Sequence, residues 1–459
     1  MSSIHAFTTW EPLLRLLRTH NSERLSEPGG YVAGRISQGS WSVPLRRQSP
    51  PPGQAAQIED TQDEWDAVQR VHGALAESGV DDVSFVVEIS ASGRTVLHLL
   101  DPGPAVEPGI GGPHPGSIIL VEDAVPEPWR RGPEPVEGLS AHPSADPGLL
   151  ERTLRERLPE TVGATDEEIA AAETRLGLPL PEELKALYRV TRARWEDWED
   201  DYDKAVEVSD AMGFELFSLD DLHRADPSTR WTPWEFAAME AVVTPPDAAV
   251  QGLVGSPGWI AFGGNGGGDR LAIDLTPGPR GHPGQIILIG HEENTGATLL
   301  ARSLTDLVLN GEGEGDAEGD AVLRREPPEI AYVNIHGVGS VQAAAHPALE
   351  VLSIGVWEGE PVSLAPVVGL PRLRTLSAYP GTLADPLEIT KLTGLEYLEL
   401  GPEDWRVLLD ADAVPRGLSA VGIEIHGERH PLPVVDLANE LLALWNRPPI
   451  TRTTLEGEL

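Results

Sequence analysis

Residues 258–275 hold the densest group of residues suited to ligand chemistry. An apolar run, GWIAF, precedes the glycine-rich centre, and an alternating run, RLAIDL, follows it. The centre consists of Gly263, Gly264, Asn265, Gly266, Gly267 and Gly268. A phosphate-binding loop would need a helix N-terminus after its glycines, because the free N–H groups and the helix dipole bind the anion. The pattern predicts a strand there instead, hence a β-hairpin with a tight turn. A hydrolase or nucleotide-binding role that uses this turn is kept as an alternative.

Other arrangements typical of catalysis or metal binding are not found in the sequence. His291 begins an H-E-E segment without the second histidine of H-E-x-x-H, and Ser256 lacks the first glycine of G-x-S-x-G. His426 and His430 have the i, i+4 spacing of a helical metal site, but Gly427 and Pro431 place them in a loop. There are no cysteines, so thiolate zinc sites and a cysteine nucleophile are excluded. We predict no catalytic residue, no metal and no cofactor.

Two segments share a His-Pro-Gly start followed by an apolar strand. Residues 114–121 read HPGSIILV, and residues 282–289 read HPGQIILI. Two explanations account for this likeness equally well. One is duplication of a strand–loop–strand module, and the other is independent use of Pro-Gly turns before buried strands. Under either explanation His282 and Gly284 are predicted to be structural turn residues.

An acidic, aromatic segment at residues 195–203 is the candidate for binding a partner. The residues selected are Trp195, Trp198, Asp200, Asp201, Tyr202 and Asp203. Aromatic anchors surrounded by charge are favoured at protein interfaces. The alternative interpretation is a helix with an ordinary solvated face.

The charge of the whole chain restricts its partners. In 459 residues, 73 acidic side chains stand against 34 basic ones, a formal net charge of −39. Such a surface repels nucleic acid and anionic lipid, so we expect a protein partner, for which a basic protein would suit, or simply high solubility. The first 18 residues carry charges within their apolar part, unlike a signal peptide. No apolar run is long enough to span a membrane, and we expect a soluble cytoplasmic protein.

Composition and periodicity divide the chain into six parts. We predict a small α/β domain at 1–121, a Pro-rich linker at 122–148, a domain at 149–310, an acidic Gly-rich linker at 311–328, a repeat domain at 329–446 with a capping helix, and a tail at 447–459. In the second domain, Thr165 and Glu168 form a capping box, Gly177 ends that helix, and Pro181 begins the next one.

The repeat domain is predicted from a recurring L-x-x-L-x-L frame. Frames begin at Leu349, Leu373, Leu395 and Leu418, with an irregular earlier one at Ile330. Their spacing lies within the range of 20–29 residues typical of leucine-rich repeats. We therefore predict a short leucine-rich-repeat-like solenoid.

The segments of the second domain resemble the SUKH superfamily, named for its Smi/Knr-type members. The resemblance rests on GATDEEI at 163–169, LGLPLPEELKALYRV at 176–190, GWIAFGGNGGGD at 258–269 and HPGQI at 282–286. It covers about residues 150–310. The chain departs from the family at 191–194, where Thr-Arg-Ala-Arg replaces the usual His-Gly or Asp-Gly.

The resemblance implies an α+β fold with helices on one face of a mostly antiparallel sheet, and a role that is not enzymatic. Many bacterial members are immunity proteins that neutralise toxins, often nucleases, and fungal relatives regulate cell-wall synthesis or act as scaffolds. The expected function is that of a protein-binding module, an immunity-type protein of a bacterial polymorphic toxin system. A regulatory or scaffold protein related to the cell-wall regulators is the alternative.

Overall fold

A computed structural model describes residues 3–45, 62–107, 114–121, 124–198, 201–311, 328–427 and 429–459. Its α-helices are α1 Phe7–His20, α2 Ser22–Leu25, α3 Gln62–Ser78, α4 Glu127–Arg130, α5 Pro147–Arg157, α6 Asp166–Leu176, α7 Glu182–Tyr188, α8 Tyr202–Met212, α9 Trp234–Ala237, α10 Leu304–Asn310, α11 Val341–Ala344, α12 Pro402–Asp410 and α13 Pro431–Leu444. No helix in these ranges has the length and apolar character needed to cross a membrane.

The strands outnumber the helices. They are β1 Val32–Ser37, β2 Trp41–Ser42, β3 Asp82–Ile89, β4 Arg94–Asp101, β5 Val106–Glu107, β6 Ile118–Leu120, β7 Glu215–Leu216, β8 His223–Arg224, β9 Trp259–Gly264, β10 Arg270–Asp274, β11 Gln285–Ile289, β12 Thr298–Ala301, β13 Ile330–Val333, β14 Val351–Ile354, β15 Thr375–Ala378, β16 Tyr397–Leu400, β17 Ala420–Ile423 and β18 Thr451–Glu458. Antiparallel and mixed sheets are both present, which is compatible with the α+β class.

The backbone contacts divide the chain into two compact units rather than the predicted series of parts. One unit contains Met1–Ala124, Pro233–Glu235 and Ala331–Leu459, and the other contains Val125–Thr232 and Phe236–Ile330. Strand pairing explains the grouping of the first unit, because β18 pairs with β4 and β17 pairs with β6. The predicted tail at 447–459 is therefore largely a sheet strand. The described part of the predicted Pro-rich linker includes α4, whose Trp129 packs with Val242 and Val254 inside the second unit.

The first unit contains two sheets. One is antiparallel, in the order β18-β4-β3-β1-β2, and shares a core with α1 and α3. The other has the order β13-β14-β15-β16-β17-β6-β5. In it Leu352, Leu376, Leu398 and Val421 lie side by side on parallel strands, so the predicted frames stack in register. Whether this stack is a leucine-rich-repeat solenoid stays a prediction.

The two His-Pro-Gly segments have different sheet neighbours. Gly116 and Gly284 both have a φ of 93°, a left-handed value that favours glycine. The same local requirement therefore explains the glycine in both turns. The strands that follow differ, because β6 pairs with β17 whereas β11 pairs with β10. Both strands also pair antiparallel with the strand that precedes them in the chain, β5 for β6 and β10 for β11, so a duplicated module and independent turns both stay predictions.

The second unit is built on an antiparallel sheet in the order β12-β11-β10-β9-β7, with β8 also paired to β9. Side chains of α5, α6, α7, α8 and α10 share one core with Ile260, Phe262, Ile273 and Ile286, which places these helices on one face of the sheet. The opposite face carries Trp259, Ala261 and Ile287, which pack with Leu253 and Ala225 from neighbouring loops. Because successive residues of β9 point to opposite faces of the sheet, the strand contributes side chains to two hydrophobic cores.

The residues predicted to cap α6 make the expected local contacts. The N–H of Thr165 donates to Glu168 Oε2 at 2.8 Å, and the N–H of Glu168 donates to Thr165 Oγ1 at 3.2 Å, which closes the capping box. Gly177 ends α6 with a φ of 70°. Pro181 is the N-cap residue of α7 rather than its first helical residue, a shift of one position.

A buried arginine joins two loops, residues 254 and 290–296. The guanidinium of Arg230 donates to the carbonyl oxygens of Val254 (3.0 Å), Gly290 (3.0 Å), Glu293 (2.9 Å) and Gly296 (2.7 Å). Burial is the main cause that lowers the pKa of Arg230 to about 10. The side chain remains a cation and serves as a shared donor for two loops.

Candidate protein-binding site

The glycine-rich segment is a strand end followed by a short turn. Gly263 and Gly264 belong to β9 and not to the turn, which corrects their assignment from sequence. Gly266 and Gly268 have φ values of 75° and 105°, so these two need the freedom of glycine. The side chain of Asn265 accepts from the N–H of Gly267 at 2.8 Å and organises the turn. Strand β10 follows at Arg270, so the geometry of a phosphate loop is not present here.

Gly263 is required by a close approach of two strands. A Cβ at this position would lie 2.5 Å from the carbonyl oxygen of Glu215 in β7. Strand β7 pairs with β9 through Glu215–Gly264 and Leu216–Gly263. The glycine therefore lets β7 join the sheet as its edge strand.

The polar residues near the hairpin form separate local networks. Asp269 accepts from the backbone N–H of His291 at 2.9 Å and lies 2.7 Å from its Nδ1, and this hydrogen bond lowers the pKa of Asp269 and raises that of His291. His282 instead lies 3.1 Å from the carbonyl oxygen of Ser140 and packs against the ring of His142. Within the described residues no His, Asp and Glu side chains form a metal-binding group of three.

Asp274 is a buried carboxyl with a structural role. Burial raises its pKa to about 6. It accepts from the N–H of Thr276 at 2.8 Å and from Nε2 of Gln285 at 2.9 Å, so it ties the end of β10 to the start of β11.

The aromatic segment predicted to bind a partner forms a surface ridge. Trp195–Trp198 is a 3-10 helix, and Tyr202 begins α8. The rings of Trp195 and Trp198 meet edge to face at 6.0 Å. Trp195 is 45% exposed and Tyr202 is 69% exposed, whereas Trp198 is half-buried against the helix core.

The acidic members of this segment have different positions. Asp201 is the N-cap of α8, and its carboxylate accepts from the N–H of Asp203 at 3.0 Å. Asp203 is exposed in the first turn of the same helix. Asp200 lies outside the described residues.

Two open cavities meet at Trp198. The first, of about 570 Å³, lies between α8 and residues 213–217 and includes Tyr202 and Val206 in its lining. The second, of about 900 Å³, lies between residues 192–198 and 216–221. Both are lined by Trp198, Leu216 and Phe217, and we call the two together the Trp198 groove. The sequence indicates the aromatic wall of this groove but not β7, because a strand of two residues has no detectable periodicity.

The two arginines of the groove are held by carboxylates. Arg192 makes a bidentate pair with Asp197, with both N–O distances 2.7 Å, and also contacts Glu168 at 3.2 Å. Arg194 lies 3.1 Å from the same Glu168. The hydrogen bond from Arg192 lowers the pKa of Asp197. These pairs anchor the 3-10 helix to the start of α6, and no sequence spacing indicated them.

Other carboxylates of the groove have no such cation. Glu196, Asp210 and Glu215 are exposed lining residues. Across the part of the chain that the structure describes, none of the three forms an ion pair. The groove therefore combines an aromatic wall with uncompensated negative charge.

Ala193 has a backbone conformation that favours glycine. Its φ is 50°, in the left-handed region, and the residue is only 8% exposed. A left-handed residue with a Cβ is strained by about 1–2 kcal/mol. The conformation is held in place by the neighbouring pairs of Arg192 and Arg194.

We expect Ala193→Gly to stabilise this segment by about 0.5–1 kcal/mol, because the strain released exceeds the added freedom of the unfolded chain. Hydrogen exchange of the full chain, followed by mass spectrometry, should slow in peptides covering 188–198. Ala170→Gly, at an exposed position within α6, is the matched control and should destabilise by about 1 kcal/mol. Faster exchange in the Ala193→Gly chain would contradict the expectation.

The part of the chain that holds the groove is similar to a known protein family. The model of the SMI1 / KNR4 family (SUKH-1) matches residues 163–310. A "Glucan synthesis regulatory protein" of Neurospora crassa is 40% identical over 78 residues, 17% of this chain and 14% of that protein. A "Cell wall biosynthesis/cell cycle regulator smi1" of Schizosaccharomyces pombe is 43% identical over 63 residues, 14% of this chain and 12% of that protein. A "KNR4/SMI1 homolog 2" of Debaryomyces hansenii is 46% identical over 64 residues, 14% and 11% of the two chains. The alignments thus span only a small part of each relative.

Proposed function

Since residues 163–310 are a SMI1/KNR4 (SUKH-1) domain, we propose that this chain is a regulatory protein that acts by binding a partner protein, without bond-making chemistry of its own. The observation that carries the proposal is the Trp198 groove, an aromatic surface with unpaired carboxylates. The relatives named as regulators of glucan synthesis and cell-wall biosynthesis support a role of this kind.

The groove has the composition of a binding hot spot. Trp and Tyr dominate the energy of protein interfaces because they bury a large area with few rotatable bonds. Trp195 and Tyr202 present that area to solvent, and Trp198 is held by the domain core. A partner side chain entering either cavity would be desolvated against these rings. The surrounding carboxylates would orient a partner and speed its association.

An immunity-type role is the second candidate, and one observation favours it. The formal net charge of −39 suits capture of a strongly basic partner, such as a nuclease toxin of a bacterial polymorphic toxin system. The names of the fungal relatives favour regulation over this role. Both candidates use the same groove, and the identity of the partner distinguishes them.

Site-specific photo-crosslinking tests the proposal. A benzophenone amino acid replaces Val206 in the wall of the groove, and the control carries it at Val162, a similarly exposed residue of the same unit. Crosslinking in cells followed by mass spectrometry should give proteins at position 206 that are missing at position 162. Tyr202→Ala should reduce their yield at least tenfold, since the exposed ring can be removed without disturbing the core.

The captured protein decides between the candidates. Enzymes or regulators of wall synthesis would support the regulatory role, and a toxin domain would support the immunity role. Equal crosslinking at positions 206 and 162, or capture that Tyr202→Ala leaves unchanged, would contradict partner binding at the Trp198 groove.

A further inference from the structure

The edge of the sheet lies inside the Trp198 groove. We propose that the groove takes an extended, basic segment of the partner protein, which joins the sheet as a new strand beside β7. This inference rests on the proposed function and specifies the chemistry of the partner. Its starting observation is that β7 ends the strand order and that residues 213–217 line the cavity under α8.

The hydrogen-bonding pattern leaves one side of β7 available. The N–H of Phe217 donates to the carbonyl oxygen of Phe262 at 2.9 Å, so Phe217 faces β9. In an antiparallel ladder successive residues turn their N–H and C=O groups to opposite sides. Leu216 therefore directs its N–H and C=O away from β9, towards the groove. An extended segment can pair with these groups, which is the usual mode of strand addition to an exposed edge.

The two cavities give such a segment a continuous path. Residues 213–217 line the first cavity and residues 216–218 line the second, so one stretch of chain borders both. Six extended residues span about 20 Å. A strand laid beside this stretch would run from one cavity to the other past Trp198.

Charge selects a basic segment. Glu196 and Glu215 lie beside this path and Asp210 lies on the α8 wall, all exposed and without an ion pair among the described residues. Arg192 and Arg194 are occupied by Asp197 and Glu168 and do not offset them. Opposite charge near a paired strand favours Arg or Lys in the partner, and like charge disfavours a second copy of this acidic chain.

A designed peptide tests the inference directly. The probe is a fluorescein-labelled peptide of the sequence Arg-Leu-Arg-Val-Arg-Leu-Arg, and its binding to the full chain is measured by fluorescence anisotropy at 150 mM salt, about physiological ionic strength. We expect Glu215→Lys or Asp210→Lys to weaken binding at least tenfold. Glu160→Lys makes the same charge change on an exposed residue that does not line either cavity, and it should change the affinity less than twofold.

Backbone methylation of the peptide tests the strand itself. Methyl groups on alternate amide nitrogens block the ladder in one register and point away from it in the other. We expect one methylated series to bind at least tenfold more weakly than the unmodified peptide, and the series shifted by one residue to bind within about threefold of it.

Three results would overturn the inference. They are equal weakening by Glu215→Lys and Glu160→Lys, equal affinity of the two methylated series, and no binding of the basic peptide. If one of these results is obtained while proteins are still captured at position 206, the proposed function stands and only strand addition is contradicted. Register-dependent peptide binding without any captured protein would show that the groove can pair with a basic strand and would contradict the proposed function.

Discussion

Replacing Arg230 by methionine is expected to destabilise the second unit by about 3–5 kcal/mol, because one buried and three partly buried carbonyl groups lose their donor at once. Methionine fills much of the same volume, so the effect reports the lost hydrogen bonds more than a cavity. Arg230→Lys keeps the positive charge, but an ammonium group lacks the planar arrangement of donors of a guanidinium. We therefore expect this variant to lose an intermediate amount of stability.

Hydrogen exchange of the full chain measures this effect without assuming a single unfolding transition. Peptides covering 250–256 and 289–296 should exchange faster in Arg230→Met, since the two loops lose their common donor. Arg302→Met is the matched control at an exposed position of the same unit and should change stability by no more than about 0.5 kcal/mol. Similar exchange in the two variants would show that the buried guanidinium is not needed to hold the loops.

Gly263→Ala is expected to separate β7 from β9 at a cost of about 2–3 kcal/mol. The added Cβ would lie 2.5 Å from the carbonyl oxygen of Glu215, and a backbone atom of a paired strand cannot move aside without breaking the ladder. The loss should be local, because the rest of β9 is held by β10.

Gly267→Ala is the matched control for this prediction. A Cβ there approaches only the Asn265 side chain, at 3.3 Å, and the residue does not have a positive φ. Exchange of peptides covering 213–218 should increase at least tenfold in Gly263→Ala and less than twofold in Gly267→Ala. Unchanged exchange in Gly263→Ala would mean that β7 tolerates a wider spacing than the structure indicates.

Signals confined to neighbouring residues were predicted well from the sequence. The capping box of Thr165 and Glu168 and the left-handed stop at Gly177 depend on contacts within one helix, so residue types suffice to identify them. The hairpin of β9 and β10 and the helix-covered sheet agree with the predicted fold of this domain. The L-x-x-L-x-L frames coincide with strands that pair in register, and the solenoid predicted from them stays a prediction.

Features that depend on distant parts of the chain were not predicted. Strand β7 has only two residues and exists because Gly263 allows it to approach β9. Arg230 has the sequence context of a surface residue, and its role depends on carbonyl groups from two separate loops. The grouping of the first and last parts of the chain in one unit depends on pairing between β4 and β18, for which local composition carries no signal.

That pairing has a consequence for how the protein is made. Strand β18 covers β4 along its whole length, Leu459 donates its N–H to the carbonyl of Gly93, and Arg18 donates to the carbonyl of Leu459. A ribosome adds about 5–20 residues per second, so the nascent β4 edge waits on the order of tens of seconds for its neighbour. During that interval the unpaired N–H and C=O groups of β4 are available for pairing with a strand of another chain. Because β18 follows β4 only after most of the described sequence, the β4 edge stays unpaired until that intervening sequence has been made.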